Sequence, residues 1–586
     1  MPVESANIAR HLPLMAARQP DQPAVKVPRG RTRAGDIDYL VLSFAELDAE
    51  VDAWCARLAG RGVRAGDRTL IMVRQGLPLI ASAFALFKLG AIPVVIDPGM
   101  GWRNFLACVA RSLPRVLVGI PRAQIVSRLF RRSFRTVAVR VAASDSMTGR
   151  LTREPGSQCP KTELVASRAT DLAAVLFTSG STGAPKGVCY EHGMFDAQVR
   201  LIRETYSIEP GEIDLPMLPV FALFDPALGL TAVIPELDPS RPSSVDPARI
   251  VQAIRQEGVT NSFGSPTLWR KIADHCLTHH LTLPSLRRVL CAGAPVPSSL
   301  WTDAPRFLPN GVLHSPYGAT EVLPVSTIAG GEVDPDSVQG APIGRPLREN
   351  QVKIIALTDG PIATLAEARE LPLGEIGEII VTGPTVTKEY DRLPEATLRA
   401  KIQTPNAKFQ RAAGASDLIG NRNLELGASV PPSGAVCHRL GDCGRLDEDG
   451  SLWFCGRQTE RVETPAGPMF TEPCEQVFRR HPAVARCALI GLGPRGRQQP
   501  AIVVEPKSRA VMRSGTEQQA LARALRQLAL GHPHTAPIHR FYFHPHFPVD
   551  VRHNAKIHRL ALARWASGAR AVEVPSDKDQ VTRERR

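Results

Sequence analysis

Apolar positions in the first 170 residues fall into short unbroken blocks separated by longer, mixed stretches. Thr69-Leu70-Ile71-Met72-Val73 and Pro93-Val94-Val95-Ile96 are continuous enough to be strands buried on both faces, and Leu77 to Leu89 between them reads as a helix. Strand, helix, strand is the pattern of a parallel α/β layer. Pro98-Gly99-Met100-Gly101 then breaks the pattern with turn residues. Further on, Asp246 is a plausible N-cap with Pro247 at the first helical position. Ile250, Val251 and Ile254 share one face, and Gly258 ends the helix. Val259 to Phe263 reads as the next strand and Ser265-Pro266 opens another helix. Arg288-Val289-Leu290-Cys291 is again strand-like, ending at Ala292-Gly293-Ala294-Pro295. The turns that matter follow the C-terminal ends of strands, where ligands of open α/β sheets bind.

Periodicity fades from about residue 400 to 436, where small and polar residues end in Pro431-Pro432-Ser433-Gly434, as expected of a long surface insertion. Hydrophobic order then returns, and Gly456-Arg457 starts a smaller C-terminal unit. At 586 residues the chain is too long for one core. The expected division is 1–455, with the insertion inside it, and 456–586.

Composition adds charge to this picture. Lys and Arg exceed Asp and Glu by 71 − 57 = 14, a balance that favours anionic ligands or surfaces. The densest patch is Arg128, Arg131, Arg132, Arg135 and Arg140 with Leu129, Phe130 and Phe134 between them. It reads as a solvated face, with an amphipathic membrane-facing element as the alternative; peripheral contact is the most that the sequence allows. No nucleic-acid motif accompanies the charge. Eleven scattered cysteines without a C-x-x-C pair fit reduced thiols rather than a disulfide framework or zinc site. Arg74, Gln75, Lys88 and Gly90 interrupt the most apolar region, and His11, Arg18 and Gln19 interrupt the N-terminus. Neither a spanning helix nor a signal peptide is expected, and the cytoplasm is the expected compartment.

The stretch with most chemistry is Val175-Leu176-Phe177-Thr178-Ser179-Gly180-Ser181-Thr182-Gly183-Ala184-Pro185-Lys186-Gly187-Val188. An apolar strand runs into a loop of hydroxyls and glycines. Gly180 and Gly183 let successive N–H groups face one anion. Thr178, Ser179, Ser181 and Thr182 add hydroxyl donors, and Lys186 adds a point charge for phosphate oxygens. An ordinary P-loop is excluded, because no Gly-Lys-Ser/Thr closes the loop.

This loop, together with Tyr317-Gly318-Ala319-Thr320-Glu321, resembles the signatures of the adenylate-forming superfamily of acyl-CoA synthetases, peptide-synthetase adenylation domains and insect luciferases. The resemblance implies an enzyme that activates a carboxylate with ATP and Mg²⁺, releasing pyrophosphate. The implied fold is α/β: a large N-terminal domain of mixed, largely parallel sheets flanked by helices, with a smaller mobile α+β C-terminal domain acting as a lid. By the same resemblance Tyr317, beside Gly318, stacks on adenine, Thr320 reaches the α-phosphate and Glu321 helps hold the metal. Gly293, Ala294 and Pro295 lie along the base. Asp442, in Arg439-Leu440-Gly441-Asp442, binds the ribose hydroxyls, and Arg457 sits near the ribose and the hinge. Lys556, in a loosely matching Pro548–Lys556 ending with Ala555 where glycine is usual, clamps the carboxylate and α-phosphate.

The acceptor of the acyl group is open at this point. Glu463-Thr464-Pro465-Ala466-Gly467-Pro468-Met469-Phe470-Thr471-Glu472-Pro473 departs from the usual Lys-x-x-Gly-x-Arg-Ile, and its three prolines are poor strand material. Ala222 stands where acyl-CoA ligases often carry histidine, and Phe221, Leu223 and Phe224 suggest an apolar wall. The segments Gly187–Gln198, Phe221–Pro226, Phe263–Pro266 and Val462–Thr464 resemble the bacterial β-lactone synthetases of long-chain olefin biosynthesis. That branch implies a long-chain 2-alkyl-3-hydroxy acid as substrate, and a pathway reductase and β-lactone decarboxylase as associates. A long-chain fatty acyl-CoA or acyl-AMP ligase is the alternative.

Overall fold

A computed structural model describes residues 5–143, 161–178, 184–238, 244–334, 337–404, 436–549 and 557–574. The expected first layer is present as a six-stranded sheet in the order 139–142, 116–119, 68–72, 92–96, 172–178, 186–191. All neighbours are parallel except the last pair, Leu172–Thr178 with Lys186–Glu191. Leu70, Val94, Leu117 and Val175 in its central strands are wholly buried, which is why these strands read as apolar runs. Helix Leu77–Lys88 lies between two of them, with every residue except Leu79 buried.

The second layer is a larger mixed sheet. Strands Pro23–Arg31, Thr231–Val233, Ile213–Pro216, Asn261–Gly264, Arg288–Cys291 and Val312–Ala319 form a parallel run. Beyond Val312–Ala319 the sheet turns antiparallel through Val322–Ala329, Ala341–Pro346, Leu452–Arg457, Val436–Leu446, Gly377–Thr382 and Gln351–Ile355. Helix Pro247–Glu257 begins and ends as expected: Asp246 accepts from the Ala248 N–H, and Gly258 takes the left-handed conformation with φ +63°. Helix Pro266–Thr278 is capped by Ser265, which accepts from the Leu268 N–H.

The C-terminal region has a sheet of its own, Val484–Leu492, Gln499–Pro506, Arg540–Phe543 and Val572–Glu573, packed with helices Thr471–Arg479 and Gly515–Leu530 around a separate core. Two expectations need correction. The 400–436 stretch is not insertion throughout, because Lys401–Gln403 is a strand paired with Val436–His438; three residues are too few to show periodicity. Its middle, 405–435, lies outside the described residues. The proline-rich segment after Arg461 does form a hairpin, Val462–Thr464 with Gly467–Met469. The Glu463 N–H and C=O both engage Gln498, at 2.8 and 2.9 Å. Glu463 therefore faces Pro468 as a non-hydrogen-bonded pair, where a missing N–H costs nothing.

All ten cysteines among the described residues are buried, unpaired thiols. No helix among the described residues is long and apolar enough to cross a membrane.

Two of the buried carboxyl groups pair with one another. Asp214, on strand Ile213–Pro216, and Asp225, at the start of helix Asp225–Leu228, are both buried and hydrogen-bonded to one another. Loss of hydration raises both; Asp214 is pushed up to about 7 and Asp225 well above the carboxylate range. The folded state thus keeps protons that the unfolded chain releases near pH 4. This contribution is complete below that pH and is lost as pH rises through about 7. The slope is about 1.4 kcal/mol per pH unit per retained proton. Asp225→Asn should flatten the fall of urea stability between pH 4 and 7 relative to wild type, measured by denaturation midpoints across that range.

Candidate active site

Strand Leu172–Thr178 leaves the centre of the six-stranded sheet and returns as Lys186–Glu191, with Thr178 opposite Lys186. Ser179, Gly180, Ser181, Thr182 and Gly183 lie outside the described residues. The far end of the turn is anchored where Arg111 donates to the Pro185 carbonyl at 2.8 Å. Gly187 is a packing requirement, because a Cβ there would stand 2.9 Å from the Phe177 ring. That contact seats the backbone beside Lys186.

The second signature is a hairpin. Val312–Ala319 turns at Thr320-Glu321 directly into Val322–Ala329, with Ala319 opposite Val322 and a register shift at Gly318. A Cβ on Gly318 would lie 2.7 Å from the Val322 carbonyl oxygen, so only glycine permits this closure. Both turn carbonyls are tied down. The Tyr190 hydroxyl donates to that of Thr320; the Thr387 N–H and hydroxyl donate to that of Glu321, at 2.9 and 3.1 Å. Gly293, at φ +97°, opens the Gly293-Ala294-Pro295 turn after strand Arg288–Cys291.

Lys186, Gly293, Ala294, Pro295, Tyr317, Gly318, Thr320, Glu321, Asp442 and Arg457 line one cavity of about 2700 Å³. The structure therefore brings together in one space residues more than 270 positions apart. Asp442 is buried, with the Tyr317 hydroxyl donating to Oδ2 at 2.6 Å and Arg457 paired to Oδ1 at 2.6 Å. Asp442 and Arg457 are cross-strand partners, so the sheet register enforces the ion pair. It raises the Arg457 guanidinium, while burial and the Asp442 carboxylate raise the Tyr317 phenol well above its ordinary value. Thr178 ends its strand but is not part of the cavity lining among the described residues. Lys556 lies outside the described residues; Ile557, His558 and Arg559, which follow it, do line the cavity.

The structure adds residues that sequence reasoning missed. Tyr390 donates its hydroxyl to Glu321 Oε1 at 2.8 Å, and Lys186 Nζ lies over its ring, 4.7 Å from the centroid. Lys401, 2% exposed, approaches the same ring at 5.8 Å and donates to the Thr387 hydroxyl at 3.1 Å. One signal existed. The chain has only six tyrosines, and three of them, Tyr190, Tyr317 and Tyr390, anchor groups of this site.

A second part of the lining is apolar. Phe263, Phe221, Phe224 and Phe195 make a continuous stack with successive centroids 3.6, 6.1 and 4.9 Å apart, and all four line the cavity. The expected apolar wall at Phe221, Leu223 and Phe224 is present.

Residues 14–391 match the profile of the family described as AMP-binding enzyme. The chain belongs to that family. This AMP-binding enzyme is 42% identical over 582 residues to the olefin beta-lactone synthetase of Xanthomonas campestris pv. campestris, covering 96% of this chain and 98% of that protein. It is also 42% identical over 575 residues to the olefin beta-lactone synthetase of Stenotrophomonas maltophilia, with the same coverage. Its fold is shared with the amide bond synthetase McbA from Marinactinospora thermotolerans (TM-score 0.71, 22% identity, 96% of this chain and 99% of that one). ATP-bound MatB from Rhodopseudomonas palustris shares it too (TM-score 0.73, 19% identity, the same coverage). The protein is thus an AMP-forming ligase of the adenylate-forming superfamily that acts on an acid with ATP.

Lys401 gives this site a pH signature. Burial outweighs the attraction of Glu321 and lowers the Lys401 ammonium to about 7. The favourable contribution of the neutral amine is complete above the unfolded value near 10.5 and is lost as pH falls through about 7. Lys401→Met should remove that loss, so denaturation midpoints of the variant should change less than wild type between pH 10 and 7.

Proposed function

We propose that this AMP-binding enzyme adenylates a long-chain 2-alkyl-3-hydroxy acid and closes the product to a β-lactone. The observation that carries the reading is the aromatic stack Phe263–Phe221–Phe224–Phe195 in the same cavity as Glu321 and Asp442, which offers an apolar wall suited to an alkyl chain beside groups suited to a nucleotide. Relatives named as olefin beta-lactone synthetases support it across nearly the whole length.

In this reading the 179–183 loop and Lys186 take the β- and γ-phosphates, and Thr320 reaches the α-phosphate. Tyr317 and the Gly293-Ala294-Pro295 turn flank the adenine. Asp442 is suited to a vicinal diol, because a carboxylate accepts from both hydroxyls. Arg457 holds Asp442 in place from the other side. Mg²⁺ fits the donor chemistry, because Glu321 offers a hard carboxylate oxygen on the cavity wall. Glu321 would then be a single carboxylate ligand to an ion that arrives with the phosphates, as magnesium commonly does. The ion would offset phosphate charge; Tyr390 orients the Glu321 carboxylate.

A substrate carboxylate oxygen attacks the α-phosphorus, and the bond to pyrophosphate breaks. Lys556 stabilises the charge that moves to the leaving group. The substrate's own 3-hydroxyl then attacks the acyl carbon, its proton departs to solvent, and the C–O bond to AMP breaks. A tethered nucleophile gains effective molarity that can reach about 10⁵ M, less what ring strain removes. Coenzyme A has no role in this scheme, and the departure at Glu463–Pro468 from the usual loop favours that. A long-chain acyl-CoA or acyl-AMP ligase is the second reading, favoured by the hairpin that this segment nevertheless forms. Association with the pathway reductase and β-lactone decarboxylase belongs to the same proposal.

Purified protein with Mg-ATP and a long-chain 2-alkyl-3-hydroxy acid should release AMP and yield a β-lactone without coenzyme A. A thioester formed only with coenzyme A would overturn the proposal in favour of the second reading. Lys556→Ala should lower the adenylation rate by about 10²- to 10³-fold with ATP affinity retained, measured by pyrophosphate release and nucleotide titration. Asp442→Ala should instead act mainly on ATP, raising its KM by about tenfold or more.

A further inference from the structure

Between Pro98 and Ala143 the chain carries nine arginines and no aspartate, glutamate or lysine. Six of these arginines, Arg103, Arg122, Arg128, Arg131, Arg132 and Arg135, are exposed, and none forms an ion pair among the described residues. The same surface carries large apolar side chains in the open: Leu129 is 73% exposed, Trp102 58% and Ile125 56%. Phe130, 42% exposed, stacks on Trp102 at 5.9 Å, which joins the start of helix Trp102–Ser112 to the end of helix Pro121–Leu129. Arg122, Ile125 and Leu129 follow one another at helical spacing, and all three are exposed. Burying Ala123, Gln124 and Ser127 against the sheet is what turns that face outward.

Single exposed apolar residues are ordinary; here four are exposed together amid charge of one sign. The patch is continuous with the cavity, since Trp102 and Arg122 line it together with Phe105, Ile120 and Val126. We infer that this surface docks the enzyme on an anionic lipid bilayer, with Trp102, Ile125, Leu129 and Phe130 entering the headgroup region and the arginines pairing with lipid phosphates. Tryptophan and arginine around exposed aliphatic groups is the composition of a membrane-interface element. An acidic protein partner would satisfy the charge but leaves the link to an apolar cavity without purpose. Two observations favour lipid over a merely solvated face: the apolar members are not tucked away, apart from Phe134 at 2% exposed, and no acid in this stretch balances the arginines. Lipid docking itself is independent of the reaction. That it lets a water-insoluble acid enter the cavity from the bilayer rests on the long-chain substrate proposed above.

Vesicle flotation of the full-length protein tests the surface. Wild type should float with vesicles of phosphatidylcholine and phosphatidylglycerol, remain behind with phosphatidylcholine alone, and bind less as salt rises. Arg128→Ser/Arg131→Ser/Arg132→Ser should weaken binding to the anionic vesicles by on the order of 100-fold. Ile125→Ser/Leu129→Ser/Phe130→Ser should also abolish flotation. Both triple variants change only residues outside the cavity lining, so pyrophosphate release with a short, water-soluble 3-hydroxy acid should stay at the wild-type rate and report intact folding. Turnover of a long-chain acid presented in vesicles should fall for both. Absence of wild-type flotation, or flotation unaffected by either set of changes, would overturn the inference. Binding to poly-glutamate without binding to anionic vesicles would also overturn it and assign the surface to an acidic protein. If flotation behaves as expected while no lactone forms from any acid, the docking surface stands and the proposed reaction falls.

Discussion

Two carboxylates in one cavity impose the main constraint on this fold. Glu321 and Asp442 arrive from segments 121 positions apart and line one space partly walled by protein. A carboxylate drawn out of water is tolerated only with partners that do not consume it. Here each accepts one tyrosine hydroxyl, Tyr390 on Glu321 and Tyr317 on Asp442. Asp442 is also paired with Arg457, which the sheet register places directly opposite. Both acids are held in orientation while still lining the cavity. The architecture around them, a mixed sheet that changes from parallel to antiparallel at strand Val312–Ala319, places both acids beside one space.

Lys186 is coupled to the same arrangement through an aromatic ring rather than through a direct salt bridge. Its ammonium lies over Tyr390, whose hydroxyl is engaged with Glu321, and Lys401 approaches that ring as well. A ring between cation and carboxylate keeps the pair from neutralising each other. Both side chains line the same cavity. The second half of the cavity has the opposite character. Four phenylalanines form one stack there, so one cavity carries an aromatic wall as well as its charged groups.

Much of this was legible in one dimension. Local signals carried the first-layer strands, the capping of helix Pro247–Glu257 and the two glycine-rich signatures, because each depends on neighbours within a few residues. Two expectations failed. Lys401–Gln403 is too short a strand to show a period, and the proline at 468 falls on a non-hydrogen-bonded position that no sequence pattern reveals. Which residue faces which across a ladder is decided by register, and register is a property of the assembled sheet.

The sequence by itself carried the local patterns: a hydroxyl- and glycine-rich stretch after an apolar strand, an acid after a tyrosine-bearing strand, a basic arginine-only stretch and an α/β alternation, all of them matters of residue type and spacing. Only the tertiary structure decided that Tyr390 reaches Glu321 and that Asp442 faces Arg457. The same is true of Phe130 stacking on Trp102 in the open and of Phe195 stacking on Phe224. Those contacts join residues far apart in the chain, and they exist because sheet order and helix orientation close distances that chain separation leaves open.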